Sequence, residues 1–248
     1  MAAPILDSQR LRETIAQLHK RIGERFPGSS LLSICSQFQS IAERTEQRCQ
    51  RINKPIWWIR AICWLLIGLV VALIGSVPFA ISPDSTGLTG LSLRNWLELG
   101  DPILNEIVLT GAILFFLFSM ERRFKRNRAL KAIHELRSIA HVIDMHQLAK
   151  DPDYVVSTLY TPTDVSPKPT LTQSQLRRYL DYCTEMLALT GKVATLYVQK
   201  FDDPVALSAV NEVESLTTGL SRKIWQKIMI LHSAAESHVV KDATDFGQ

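Results

Sequence analysis

Residues 134 to 146, HELRSIAHVIDMH, bring His134, Glu135, Arg137, His141, Asp144 and His146 into thirteen positions. Imidazoles and carboxylates at that density are the raw material of metal-dependent or acid-base chemistry. Their spacing argues against both. On a helix His134 and His141 share a face, but seven residues separate them by about 10 Å along the axis, too far to share one ion. His141 and Asp144, at i and i+3, form the pair that can reach a common ion, and they are the metal candidates of the chain. Further ligands would have to come from other helices, from Asp181, Glu185, Glu212 or Glu214, as in di-metal bundles.

The Glu-x-x-His order of such bundles is absent, HELRS lacks the second histidine of HExxH, and no adjacent His-Asp dyad occurs. Phosphate loops, dinucleotide fingerprints and serine or cysteine nucleophile motifs are missing too. Cys35, Cys49, Cys63 and Cys183 form no CxxC pair, which fits reduced thiols better than a zinc knuckle or a disulfide framework. The expectation is a segment whose histidines hydrogen-bond within packed helices or face solvent, with no catalytic residue and no cofactor.

The elements that must position this segment begin with the apolar stretches. Residues 61 to 80, AICWLLIGLVVALIGSVPFA, run for twenty residues without a charge, the length that crosses a bilayer core of about 30 Å. KPIWWIR precedes them, with Pro55 as a helix-start residue, Trp57 and Trp58 at interfacial depth, and Arg60 close enough to the end to snorkel. A second span is expected over 103 to 120, ILNEIVLTGAILFFLFSM, with Glu106 in its first turn. Arg44, Arg48, Arg51 and Lys54 stand before the first span, and Arg122, Arg123, Lys125, Arg126, Arg128 and Lys131 follow the second. The connection, 81 to 102, has Arg94 against Asp84, Glu98 and Asp101. The positive-inside rule then predicts both termini in the cytoplasm of a multi-pass protein, with 81 to 102 as a short extracytoplasmic loop. Within that loop SLRNWLELGD reads either as a short amphipathic helix on the outer interface or as an ordinary exposed loop.

Outside the spans, Leu11, Ile15, Leu18 and Ile22, then Leu32, Phe38, Ile41 and Ile52, recur at helical spacing on either side of PGSS at 27 to 30. Residues 1 to 54 therefore read as a cytoplasmic helical hairpin, and 55 to 80 as the first transmembrane helix. The N-terminus lacks the apolar core of a signal peptide, and Ala2 stands where N-myristoylation requires glycine. From Ile103 nothing breaks a helix before Asp151-Pro152, while Pro152, Pro162, Pro167 and Pro169 mark 151 to 170 as a surface connection. Two more helices are expected, one from Thr172 to the DDP turn at 202 to 204 and one beyond it. The fold class is all-α: a two-helix transmembrane hairpin with a cytoplasmic helical bundle that includes the C-terminal region 121 to 248.

Three stretches, HELRSIAHVIDMHQLAKDP, RRYLDYCTEML and FDDPVALSAVNEVESLTTGLSRKIWQKIMIL, resemble a group of uncharacterised bacterial integral membrane proteins over roughly residues 121 to 231. The resemblance implies a bacterial inner-membrane protein and carries no activity, cofactor or site residue with it.

The basic run ERRFKRNRALK contains an aromatic, as phosphate-binding segments do, but its place beneath a span assigns Arg122, Arg123, Lys125, Arg126 and Arg128 to anionic lipid headgroups rather than nucleic acid. Absence of a catalytic constellation favours an interaction or scaffolding module, docking a protein partner or a second copy. The alternatives are a subunit of an oligomeric channel or transporter, for which Glu106 is the ionisable residue of the second span, and a metal-dependent membrane-anchored enzyme built on His141 and Asp144.

Overall fold

A computed structural model describes residues 6–80, 93–152, 155 and 171–245. Their regular structure is helix throughout, with no strand among the described residues. The helices are α1 (Ser8–Arg25), α2 (Ser30–Asn53), α3 (Trp57–Ala80), α4 (Leu93–Leu148), α5 (Gln173–Thr195) and α6 (Pro204–Asp245). Most of the proline-rich connection expected over 151 to 170, and residues 81 to 92 of the expected outer loop, lie outside the described residues.

Local chemistry sets the helix ends. Asp7 caps α1 by accepting from the Gln9 amide at 2.8 Å. The chain leaves α1 through Pro27 and Gly28, whose φ of 69° is a left-handed conformation natural to glycine. Ser29 then accepts from the Leu32 amide at 3.2 Å and opens α2. Thr172 and Gln175 form a reciprocal capping box on α5. The buried Asp203 accepts from the amides of Val205 and Ala206 at 3.1 and 3.0 Å, with Pro204 at the first helical position of α6.

The chain divides into two compact units, Met1–Asn53 with Arg128–Gln248, and Lys54–Asn127. In the first unit α1, α2, α5, α6 and the part of α4 beyond Arg128 bury one apolar core. Leu11, Ile15, Leu18 and Ile22 of α1 repeat every three or four residues, and so do Ala129, Ala132, Ile133, Leu136, Ala140 and Ile143 of α4. Cross-helix pairs give the directions. Arg12 with Glu46 and His19 with Ser36 run α1 against α2, while Thr195 with Glu214 and Gln173 with the Leu231 carbonyl run α5 against α6. Arg137 with Glu212 and Gln147 with Lys227 set α4 parallel to α6.

The second unit holds two helices long and apolar enough to cross a membrane, with mean hydropathy of 1.9 and 1.6 over their most apolar windows. Only 11% and 6% of those apolar stretches is buried, so neither is packed into a core among the described residues. Trp57 (77% exposed), Trp64, Leu65, Val71, Phe115 and Phe116 turn outward. The less exposed positions, Ile59, Cys63, Leu66 and Val70 on α3 and Glu106, Thr110, Leu114, Leu117 and Glu121 on α4, recur at three or four residues and mark one face of each helix. Helix α3 starts at Trp57, two residues after Pro55. Helix α4 starts at Leu93 and continues through Pro102, so residues 93 to 102 are helical where a loop was one of two expectations.

Candidate functional site

The core face of α4 fixes the fate of the histidine segment. Leu136, Ile139, Ala140 and Ile143 point into the first unit, which leaves His134 and His141 on the exposed side. His146 Nδ1 lies 2.9 Å from the Val142 carbonyl and donates to it, and the Asp144 carboxylate accepts from Gln147 Nε2 at 2.7 Å. The carboxylates that would complete a metal site are engaged elsewhere. Asp181 faces Arg178 at 3.6 Å, Glu185 meets Arg21 at 2.5 Å, Glu212 meets Arg137 at 3.2 Å, and Glu214 accepts from the Thr195 hydroxyl at 2.9 Å. Among the described residues no group of three or more histidines, cysteines or carboxylates converges on a point. The structure does not bring His141 and Asp144 together with their proposed co-ligands.

A polar feature that spacing did not reveal closes this segment. Lys227 of α6 donates from Nζ to the carbonyls of Gln147, in the last turn of α4, and of Lys150, just beyond its end, at 3.0 and 3.3 Å, where the Gln147 carbonyl also accepts from the Lys150 amide at 3.0 Å. Partial burial pulls the Lys227 pKa below that of an ordinary lysine, against the pull of Asp151 and Asp144. The partners lie 80 residues apart in sequence, so no local pattern announces the cap.

The basic residues divide into engaged and exposed sets. Arg44 and Arg48, read from the sequence as flanks of the first span, both reach Glu135 of α4. The Glu135 hydrogen bond is the first cause of a raised Arg48 pKa, and the buried Tyr197 hydroxyl nearby donates to Thr45 at 3.1 Å. Within the second unit, Lys125 sits 2.8 Å from Glu121, and the Ile56 amide donates to the same carboxylate at 3.4 Å. Burial pushes the Glu121 pKa up, but Lys125, the Ile56 amide and the charge of Arg60 together hold it below the usual carboxylate value. Glu121 thus ties the start of α3 to α4, and Lys125 is its counter-ion. Arg122, Arg123 and Arg128 are exposed, and Arg126 is half-buried.

The thiols are suited to packing rather than nucleophilic attack. Burial pushes Cys35 and Cys49 up to about 11 and Cys183 up to about 12. Cys49, the least buried of these, donates through Sγ to the Leu196 carbonyl at 3.5 Å. Unfolded thiols ionise near 9.0, so these groups' contribution to stability is whole below pH 9 and declines as pH rises toward the folded values. Titration of the native protein with a disulfide reagent at neutral pH should therefore label Cys49 first and slowly. Cys35 and Cys183 should react only on unfolding, and a fast phase at Cys183 would contradict its burial.

In the two long apolar helices, a Cβ added at Gly68 or Gly111 would meet nothing within 4 Å, so neither glycine serves a close approach within the chain. The Thr110 hydroxyl lies 3.5 Å from Glu106 one turn away. No family model, curated protein or solved structure matches this chain.

Proposed function

We propose that the chain is an integral protein of a bacterial inner membrane, crossed by α3 and α4 as a hairpin, with both termini in the cytoplasm. The core of α1, α2, α5, α6 and inner α4 then forms a cytoplasmic bundle that docks a partner protein or a second copy, without chemistry of its own. The basic residues after the second span meet anionic headgroups. Support for insertion is the apolar surface that α3 and α4 leave outside any core, together with basic flanks on both and a connection poor in lysine and arginine.

The observation that carries the docking role is on α6. Trp225 and Met229 are exposed one turn apart, with Ile230 exposed beyond them, on a helix whose Ile224, Ile228 and Leu231 are already buried. An exposed tryptophan with flanking aliphatic groups is the kind of anchor on which protein interfaces concentrate their binding energy. Mild-detergent purification from native membranes tests this reading. A stoichiometric partner or a second copy should co-purify with the wild type and be lost from Trp225→Ala. A monomer without any stoichiometric protein would overturn it.

A further inference from the structure

Resting on the membrane reading, we propose that an anionic phospholipid headgroup is bound at the end of the α3 and α4 pair by Arg60, Arg122 and Arg123, framed by Trp57, Trp58 and Phe124. The basic run alone makes all its members equivalent, and the structure separates them. Lys125 is half-buried and neutralised by Glu121, so its ammonium answers a charge of the chain itself. Arg122 and Arg123, adjacent to that carboxylate, are exposed, as is Arg60 one turn into α3.

The hydrogen bond from the Ile56 amide to Glu121 fixes the register of the two helices, bringing Trp57, Trp58 and Arg60 level with residues 121 to 124. Arg60 is close enough to Glu121 to act on its ionisation, which places the guanidinium at the same end of the unit. Exposed Trp57, Trp58 and Phe124 beside these arginines repeat the composition of a membrane interface, where amphipathic rings lie among headgroups. Guanidinium groups present forked donors that match phosphodiester oxygens. Among the described residues Glu121 is the carboxylate beside Arg122, and Lys125 already balances it, leaving the arginines as net positive charge.

The test uses the full chain reconstituted in phosphatidylcholine vesicles containing a minor share of phosphatidylglycerol. Tryptophan quenching by brominated forms of either lipid reads the preference for the anionic one. Wild type should prefer phosphatidylglycerol, and each arginine changed to glutamine should reduce that preference by up to about fivefold. The Arg60→Gln, Arg122→Gln, Arg123→Gln triple variant should show none. A paired Glu121→Gln, Lys125→Gln variant, which keeps the net charge, should retain the wild-type preference, with circular dichroism confirming its helices. Equal quenching by both lipids in the wild type, or a triple variant that keeps the preference, would overturn the headgroup assignment while leaving the hairpin intact. Loss of preference in the paired variant equal to that of the triple would do the same. Absence of quenching by either lipid would instead overturn membrane insertion itself.

Discussion

Leu69→Arg is expected to abolish or severely reduce stable insertion of the first span. Leu69 lies at the centre of the uncharged stretch and is 53% exposed. If the surrounding medium is lipid, arginine there costs about 3 kcal/mol relative to leucine on insertion scales, more than a hundredfold in the inserted fraction. If the medium were water, the same change at an exposed position would stay within about 0.5 kcal/mol and improve solubility. The two media thus give opposite signs. A membrane-insertion assay on the isolated hairpin sequence and on the whole chain reads the difference. Undiminished recovery of Leu69→Arg in the membrane fraction would contradict a lipid-facing α3.

Leu136→Ala should cost about 3 kcal/mol of stability, in the range measured for leucine deletions that leave a cavity. Leu136 is fully buried in the shared core, one turn from Ala132 and Ala140, small residues whose short side chains offer little to fill the void. Leu148→Ala, on the same helix but 63% exposed, should change stability by less than about 0.5 kcal/mol. Urea unfolding of the detergent-solubilised protein, followed by a probe in α1 or α6, gives both values. A loss below about 1 kcal/mol for Leu136→Ala would mean that the part of α4 beyond Arg128 does not pack into the core.

The parts legible from sequence were those governed by local rules. Twenty uncharged residues admit few readings, and Pro27 with Gly28 announces the end of α1 as plainly as Asp203 and Pro204 announce the start of α6. Over SLRNWLELGD local pattern left a short amphipathic helix and a loop equally open, and the chain takes the helix. Pro102 within it lacks an amide and crowds the preceding turn, at a cost of about 3 kcal/mol. A helix as long as Leu93–Leu148 has enough other hydrogen bonds to continue through it.

Long-range pairing was invisible for the complementary reason. Nothing around Arg48 points to Glu135, 87 residues away, and nothing around Gln147 points to Lys227. Lys125 was grouped with its basic neighbours because Glu121 reads as one more charge in a polar run until its burial is known. The dense histidine segment drew attention by composition. Its geometry is that of an amphipathic helix whose apolar positions, Leu136, Ala140 and Ile143, face the core while His134 and His141 take the opposite side.

The central claim is the arrangement of the chain across the bilayer, and the direct measurement is labelling of single introduced thiols with a membrane-impermeant maleimide. Ser85→Cys samples the connection, and Glu24→Cys and Thr218→Cys sample exposed positions on α1 and α6, with the wild type as the background for native thiols. The account predicts that Ser85→Cys reacts in intact spheroplasts, while Glu24→Cys and Thr218→Cys react only after lysis. Labelling of Glu24→Cys or Thr218→Cys from outside, or protection of Ser85→Cys until lysis, would contradict it.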